Sequence, residues 1–309
     1  VRVEFEAVFH SAKVWINGKP AGEHLRKAYT AFTCDARGLL RDDRPNVLIV
    51  RVDNSFNEHM LPRGRSSDWA HDGGIYRPVA LLVTPKTFVE RVDVDALPDL
   101  TTGDARLEIA VFSRNADERP WQGTLSLRVI DEATGLRVLE DADAGTISMR
   151  PGEAGTRKLT ALLQKPRLWH FDRPNLYRLE ATMDRHRFTT TFGVRKLEVK
   201  DAGFYLNGER VRLMGVERMA GSNPAFGMAE PAAWIAHDHD DLKHLNCIFT
   251  RVHWQQDRRV LDYCDRHGIF IQSEVPTWGP NTFKGMGEEP DADILENGRE
   301  QLREMIARD

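Results

Sequence analysis

Segment 246–278 constrains the fold of this chain more than any other stretch. It begins with a short apolar run rich in β-branched residues, 247–252, which is typical of a buried strand. The next residues predict a helix that has Asp257 in its first turn and ends at Gly268. A second apolar run, 269–271, predicts another buried strand. Strand, helix and strand in this order predict a right-handed βαβ unit.

Two polar side chains follow the two strands of this unit. His253 comes directly after the first predicted strand, and Glu274 follows the second. The carboxyl ends of the strands of a βα barrel all meet at its active-site face. An imidazole and a carboxylate are therefore predicted to meet at one rim, and that rim is the candidate functional site.

The same segment resembles the barrel signature of glycoside hydrolase family 2, the group of β-galactosidases, β-glucuronidases and β-mannosidases. The matching residues are Asn246, Arg251, His253, Asp265, Gly268 and Glu274. The family usually places its arginine three residues before the histidine, whereas Arg251 stands two residues before His253. The resemblance implies that Arg251, His253 and Glu274 bind substrate. Trp278, in the loop that follows, is either a stacking surface for a sugar or a packed side chain.

Residues 1–87 are predicted to form a jelly-roll-like, sugar-binding β-sandwich. Asn17-Gly18 is a strong hairpin signal, 47–52 is an apolar strand, and Pro78 interrupts a strand that spans 75–83. The strings of residues around these strands resemble the N-terminal domain of family 2. The resemblance also implies that the opening strands of this domain precede residue 1.

Residues 88–195 are predicted to form an immunoglobulin-like β-sandwich, because alternating strands recur about every ten residues. Trp169, near its end, is interpreted as a packed tryptophan and not as a sugar platform. Residues 196–309 are predicted to begin a TIM barrel with three βα units, entered through a second hairpin signal at Asn207-Gly208. Where the family often has a substrate-contacting histidine, this chain has Glu217, Arg218 and Met219.

Asp68 is the fifth candidate substrate-binding residue. It lies in a polar, tryptophan-containing loop four residues before Asp72. In the family that this chain resembles, an aspartate at this position reaches the barrel and binds a sugar hydroxyl, a role that suits a carboxylate. The alternative is a solvated turn aspartate. Asp72, directly before two glycines, is predicted to serve turn chemistry.

Composition narrows the classes of partner. The net charge is −4 with the two signs interspersed, which gives no argument for nucleic acid binding. No run approaches the roughly 18 apolar residues of a membrane span. Cys34, Cys247 and Cys264 are interpreted as buried thiols. A carbohydrate is the expected partner, and a homo-oligomer stays open.

No metal or other cofactor is predicted. The residues that accompany magnesium in some family members are absent after Glu274. The helix that follows Pro231 contains the sequence HDHDDLKH, in which His237 and Asp241 stand four residues apart. A solvated, charged helix face is the preferred interpretation of this sequence, and a metal-dependent hydrolase that uses His237 and His239 is the weaker alternative.

The function predicted from these observations is that of a fragment of a retaining exo-β-glycosidase, acting on a β-galactoside or a β-glucuronide. The chain opens within a strand pattern over 1–9 and closes within an amphipathic helix over 295–309, which suggests a fragment. The resemblance implies a pair of catalytic glutamates on later strands, beyond residue 309, so no catalytic residue is assigned here. The alternative is a non-catalytic carbohydrate-binding or scaffold protein.

Overall fold

The computed structural model describes residues 1–63, 72–278, 282 and 291–309. These residues form two compact units, each of which is assembled from separate stretches of the chain. Unit 1 consists of Val1–Val83, Gly215–Tyr263 and Ile271–Asp309. Unit 2 consists of Thr84–Met214 and Cys264–Phe270.

The first part of unit 1 consists of antiparallel β-sheets. Its strands are β1 (Arg2–Phe5), β2 (Val8–Phe9), β3 (Ser11–Ile16), β4 (Lys19–His24), β5 (Phe32–Asp35), β6 (Leu48–Asp53), β7 (Gly74–Ile75) and β8 (Val79–Leu82). They form two three-stranded sheets in the orders β5-β1-β8 and β4-β3-β6, and a small β2-β7 pair. Alternate side chains of β1 and β3 enter one apolar core. The predicted hairpin joins β3 to β4 and has positive φ angles at Asn17 and Gly18.

The opening strand pattern over 1–9 forms two strands in the structure and not one. β1 pairs with β8, whereas β2 pairs with β7. The two partners are separated at Pro78, whose carbonyl accepts a hydrogen bond from the amide of Glu6 at 3.0 Å. The break between β7 and β8 is therefore matched by a break between β1 and β2, the strands that pair with them.

Unit 2 contains the long strands of the chain. They are β9 (Thr87–Pro98), β10 (Ala105–Asn115), β11 (Trp121–Asp131), β12 (Arg137–Met149), β13 (Ala154–Leu163), β14 (Trp169–His170), β15 (Arg173–Pro174), β16 (Tyr177–Met183) and β17 (His186–Phe192). Two antiparallel sheets, ordered β13-β10-β9 and β12-β11-β16-β17, enclose a core of alternating side chains. Trp169 is 1% exposed and stacks on Phe270, which confirms that it is a packed tryptophan.

The barrel part begins with one more small antiparallel sheet. Its strands are β18 (Leu197–Lys200), β19 (Gly203–Leu206) and β20 (Glu209–Val211), and the hairpin between β19 and β20 has positive φ angles at Asn207 and Gly208. Three further strands, β21 (Gly215–Glu217), β22 (Phe249–Arg251) and β23 (Phe270–Gln272), form a sheet in this order. Helix α1 (Ala232–His244) connects β21 to β22, which run parallel, and α2 (Arg258–His267) connects β22 to β23. The predicted strand–helix–strand segment is confirmed.

Helix α3 (Ala292–Arg308) buries a face that sequence analysis did not identify. Its buried residues are Ile294, Asn297, Gln301 and Met305. The apolar side chains of Leu302 and Ile306, by contrast, are 46% and 68% exposed. None of the helices in the described ranges is long and apolar enough to cross a membrane.

A second apolar core joins the first β-sheets of unit 1 to the barrel segments of the same unit. It contains Ala7, Phe9, Ala28, Tyr29, Met60, Tyr76, Ala220, Met228 and Trp254. The rings of Tyr29 and Trp254 stack at 4.5 Å, and neither side chain is exposed. The residues that follow β21 and β22 are therefore held by side chains from the opening β-sheets.

Candidate functional site

Three charged side chains connect the carboxyl ends of the three barrel strands. Arg251 ends β22, and its Nε and Nη2 atoms donate to the carboxylate of Glu274 at 2.5 and 3.0 Å. Its Nη1 atom donates to Glu217, the last residue of β21, at 2.7 Å. Gln272, the last residue of β23, donates to Glu274 at 3.2 Å. Parallel strands bring their carboxyl ends to one edge, so residues distant in sequence meet there.

His253 and Trp278 extend this cluster. His253 Nε2 lies 3.2 Å from the second carboxylate oxygen of Glu217, so Glu217 bridges the arginine and the histidine. The indole nitrogen of Trp278 donates to the backbone carbonyl of His253 at 2.8 Å, and the two rings lie 5.7 Å apart. Trp278 is half-buried, and this hydrogen bond fixes the orientation of its ring. We refer to Glu217, Arg251, His253, Glu274 and Trp278 as the rim.

The rim carries a net negative charge. Two carboxylates face one guanidinium, and the side chains of Glu217, Arg251 and Glu274 are 39%, 38% and 22% exposed. The hydrogen bonds that Arg251 donates to Glu274 raise the pKa of the guanidinium above its ordinary value, so its charge is permanent. Such carboxylates can accept hydrogen bonds from hydroxyl groups, and the half-buried indole offers an apolar face beside them.

A buried ion cluster lies next to the rim in sequence. Arg218, directly after Glu217, donates through Nη2 to both oxygens of Glu230 at 2.9 Å and through Nε to Asp238 at 2.7 Å. The side chains of Arg218 and Glu230 are each only 5% exposed. Glu230 also accepts a hydrogen bond from the amide of Gly221 at 3.2 Å. Because Arg218 follows β21 and Asp238 lies on α1, the cluster connects the two ends of the loop between them.

Asp72 holds the same loop from the opening β-sheets. Its carboxylate accepts a hydrogen bond from the amide of Met228 at 2.6 Å. Gly227, with a φ of 53°, approaches this carboxylate so closely that a Cβ atom there would lie 2.2 Å from it. The structure therefore gives Asp72 a long-range contact that the turn chemistry predicted from sequence did not include.

The remaining candidates from sequence are distributed as follows. Asp68 lies outside the described residues. His237 is exposed and stacks on Trp234 at 5.0 Å, whereas His239 is fully buried and its Nδ1 lies 2.7 Å from the carbonyl of Ile235. The two histidines therefore do not converge. Within the described ranges, no three His, Cys, Asp or Glu side chains are grouped closely enough to hold a metal ion.

The three cysteines are buried, which confirms their interpretation as buried thiols. Burial raises the pKa of Cys34 to about 11. The Cys34 thiol is therefore protonated at neutral pH, and Cys34 takes no part in the rim.

Sequence analysis placed Arg251, His253, Glu274 and Trp278 at the candidate site, and the structure brings these four side chains together. It did not assign a role to Glu217, which had been noted only as a departure from the family pattern. One signal could have identified it. Glu217 directly follows the apolar run of the first barrel strand, just as His253 follows that of the second.

Comparison with known proteins gives a consistent result. The family model "Glycosyl hydrolases family 2" matches residues 87–195, and the model "Glycosyl hydrolases family 2, TIM barrel domain" matches residues 197–309. A β-galactosidase of Thermoanaerobacterium thermosulfurigenes is 29% identical over 100% of this chain and 42% of its own length. A β-glucuronidase of Bacteroides fragilis is 29% identical over 98% of this chain and 44% of its own length.

Solved structures agree with these relatives. The β-glucuronidase 2 of Bacteroides uniformis, covalently bound to cyclophellitol-6-carboxylate aziridine, superimposes with a TM-score of 0.87 at 27% identity. The superposition covers 99% of this chain and 37% of the Bacteroides chain. This chain spans less than half the length of these relatives. Two adjoining models of one family, together with these relatives, show that the chain belongs to glycoside hydrolase family 2.

Proposed function

We propose that this chain is part of an exo-acting β-glycoside hydrolase that removes terminal β-linked sugars. The observation that carries the proposal is the rim, in which an imidazole, a guanidinium, two carboxylates and an indole meet at the ends of parallel barrel strands. Sugar sites require hydrogen-bonding groups that fix the hydroxyls and an aromatic face that accepts the C–H surface. The rim supplies both.

The proposed roles follow from the contacts of each side chain. His253 hydrogen-bonds the sugar or orients the surroundings of the nucleophile, and Glu217 holds it in place at 3.2 Å. Arg251 fixes Glu274 through two hydrogen bonds, so that Glu274 shapes the rim and its charge. Trp278 stacks against the apolar face of the sugar, with its ring oriented by its hydrogen bond to the backbone.

Asp68 is proposed as a further acceptor for sugar hydroxyls. Its neighbour in sequence, Asp72, bonds the loop that follows the first barrel strand. Four residues of extended chain span up to about 14 Å. The proposal for Asp68 itself rests on the resemblance of its loop to the family pattern.

The chemistry is proposed to proceed with retention of configuration, through two carboxylates about 5–5.5 Å apart. The covalent complex of the Bacteroides uniformis relative supports a covalent intermediate. We propose that both catalytic glutamates are supplied by chain that follows residue 309, so the 309-residue chain alone binds sugar without cleaving it. The division into a jelly-roll-like sandwich (1–87), an immunoglobulin-like sandwich (88–195) and the first part of a TIM barrel (196–309) belongs to this proposal.

The test is the turnover of a panel of nitrophenyl β-glycosides by the full-length gene product. We expect cleavage of at least one sugar, and His253→Ala should lower kcat/KM about 100-fold or more because a buried polar contact to the transition state is lost. His237→Ala is the matched control, because its imidazole is exposed and lies on α1 away from the rim. This variant should retain the activity of the wild type.

The alternative function gives a different result in the same assay. If the full-length protein binds methyl β-glycosides but cleaves none, the non-catalytic carbohydrate-binding interpretation replaces the hydrolase. If it neither binds nor cleaves any member of the panel, both interpretations of the rim are wrong.

A further inference from the structure

We infer that Glu217 is a specificity-determining residue that makes the rim prefer neutral sugars over the corresponding uronic acids. The inference deepens the proposed hydrolase function and rests on it. Glu217 ends the first barrel strand, and its side chain is 39% exposed, against 22% for Glu274. It is thus the more open of the two rim carboxylates.

The charges of the rim do not cancel. Arg251 directs three N–H groups at two carboxylates, at 2.5, 3.0 and 2.7 Å, so its charge is already neutralised by protein groups. Two carboxylates and one guanidinium give a net charge of −1. Arg251 bonds both rim carboxylates, and His253 Nε2 lies 3.2 Å from Glu217, where the imidazole adds a positive charge only when it is protonated.

The buried ion cluster next to the rim is also negatively charged. Arg218, the residue after Glu217, is bonded to the carboxylates of Glu230 and Asp238. This cluster also sums to −1, and both Arg218 and Glu230 are buried. Arg218 is therefore engaged in the interior and does not offset the charge of Glu217 at the rim.

Hydrogen-bond chemistry favours the same selection. A sugar with a hydroxymethyl group at C6 donates hydrogen bonds, and carboxylates accept such bonds strongly. A uronic acid has a carboxylate at C6, which accepts only and carries a negative charge. Near a rim of the same sign it is repelled, and its oxygens find no donor on Glu217 or Glu274.

The experiment compares substrate pairs that differ only at C6, with the full-length gene product. The pairs are nitrophenyl β-galactoside with β-galacturonide, and nitrophenyl β-glucoside with β-glucuronide. We expect the wild type to favour the neutral member by about 100-fold or more in kcat/KM. Glu217→Gln should reduce this ratio about 10-fold, because it removes one of the like charges that repel a uronate.

Three controls separate charge from structure. Glu217→Asp keeps the charge and should preserve the preference. Glu296→Gln removes a carboxylate of similar exposure, bonded to Arg303 at 2.9 Å on α3, and should leave the ratio unchanged. Raising the salt concentration from about 0.05 to about 0.5 M should narrow the wild-type ratio, because salt screens exposed charges.

A preference for the uronic acid in the wild type would overturn the inference while leaving the hydrolase function intact. An unchanged ratio in a folded Glu217→Gln protein would also overturn it. If the Gln variant does not fold, the Asp variant and the salt series decide the outcome in the same way. If no member of either pair is cleaved, this inference is overturned, whereas the hydrolase proposal is overturned only if the whole nitrophenyl panel is left uncleaved.

Discussion

Arg218 shows how a single residue can support a site without belonging to it. It follows Glu217 in sequence, yet its side chain points into the interior and bonds Glu230 and Asp238. Because Glu230 also binds the amide of Gly221, the guanidinium fixes both the strand end and the loop after it. Ion pairs of this kind are costly to leave incomplete, since removal of one partner strands a buried charge.

We therefore expect Arg218→Met to lower the free energy of unfolding by about 3–5 kcal/mol. The partner left behind is Glu230, whose side chain is 5% exposed. The double variant Arg218→Met with Glu230→Gln should recover part of the loss, because the uncompensated charge is removed. Urea denaturation measures both values. A single variant that loses less than about 1 kcal/mol would show that the cluster is not a stabilising element.

At the scale of elements, the features predicted correctly from sequence are those that depend only on neighbouring residues. Both Asn-Gly hairpins and the stop of α2 at Gly268 were predicted from sequence, because a positive φ angle restricts the residue type. The two-strand opening of the chain was not, because its cause is Pro78 in a partner strand. Pro78 is distant from residues 1–9 in the sequence and lies close to them only in the folded chain.

The buried face of α3 was missed for a related reason. Asn297 is buried because its amide donates to the carbonyl of Arg26 at 2.9 Å, and Gln301 donates to Asn297 at 2.7 Å. A polar side chain with a hydrogen-bond partner is compatible with the interior, and that partner is invisible in the helix sequence. Glu217 was overlooked likewise, since its role depends on Arg251 and His253 from the next strand.

The glycine at the end of α2 provides a test at the element scale. Gly268 has a φ of 72°, and a Cβ atom there would lie 2.0 Å from the carbonyl oxygen of Phe171. Gly18 has a similar φ of 81° but nothing within 4 Å. We expect Gly18→Ala to cost about 1 kcal/mol and Gly268→Ala about 3 kcal/mol or more, because only the second adds a backbone clash.

Thermal or urea unfolding of the two alanine variants provides this comparison. Equal losses of stability at the two positions would mean that the approach of Phe171 relaxes readily. The φ angle alone would then account for the preference for glycine at the end of α2.

At the scale of the molecule, unit 1 contains both the first and the last residues of the sequence. A carboxylate of α3, Glu304, accepts hydrogen bonds from Lys27 and Thr30, each at 2.5 Å, and lies 3.2 Å from His24. Burial opposes ionisation of Glu304, but these hydrogen bonds outweigh it and lower the pKa. The stacking of Tyr29 on Trp254 adds an apolar link between the opening β-sheets and the residues that follow β22.

Glu304→Ala should therefore destabilise the opening β-sheets and α3 together, by about 2–3 kcal/mol. Hydrogen exchange followed by mass spectrometry in increasing urea measures the free energy of opening of the two regions separately. We expect the variant to lower both values equally. Because the folded pKa of Glu304 lies below its ordinary 4.5, its contribution is present above that pH. It is lost as the pH falls through the folded pKa, and the variant should lack this acid-dependent loss. A shift confined to α3 would contradict the cooperative unit.

The two units alternate along the chain, and this order affects when unit 1 can fold during synthesis. Residues 1–83 share their second core with residues that begin at 215, so the 131 residues of Thr84–Met214 separate the two halves of that core. At the roughly 5–20 residues per second of translation, the ribosome needs about 7–26 s to supply the missing half. During this interval Ala220, Met228 and Trp254 have not yet been added to this core. We therefore expect the nascent chain to remain protease-sensitive at its amino end. Limited proteolysis of ribosome-bound chains of increasing length would show protection of this end arriving late, after the whole of Thr84–Met214 has emerged.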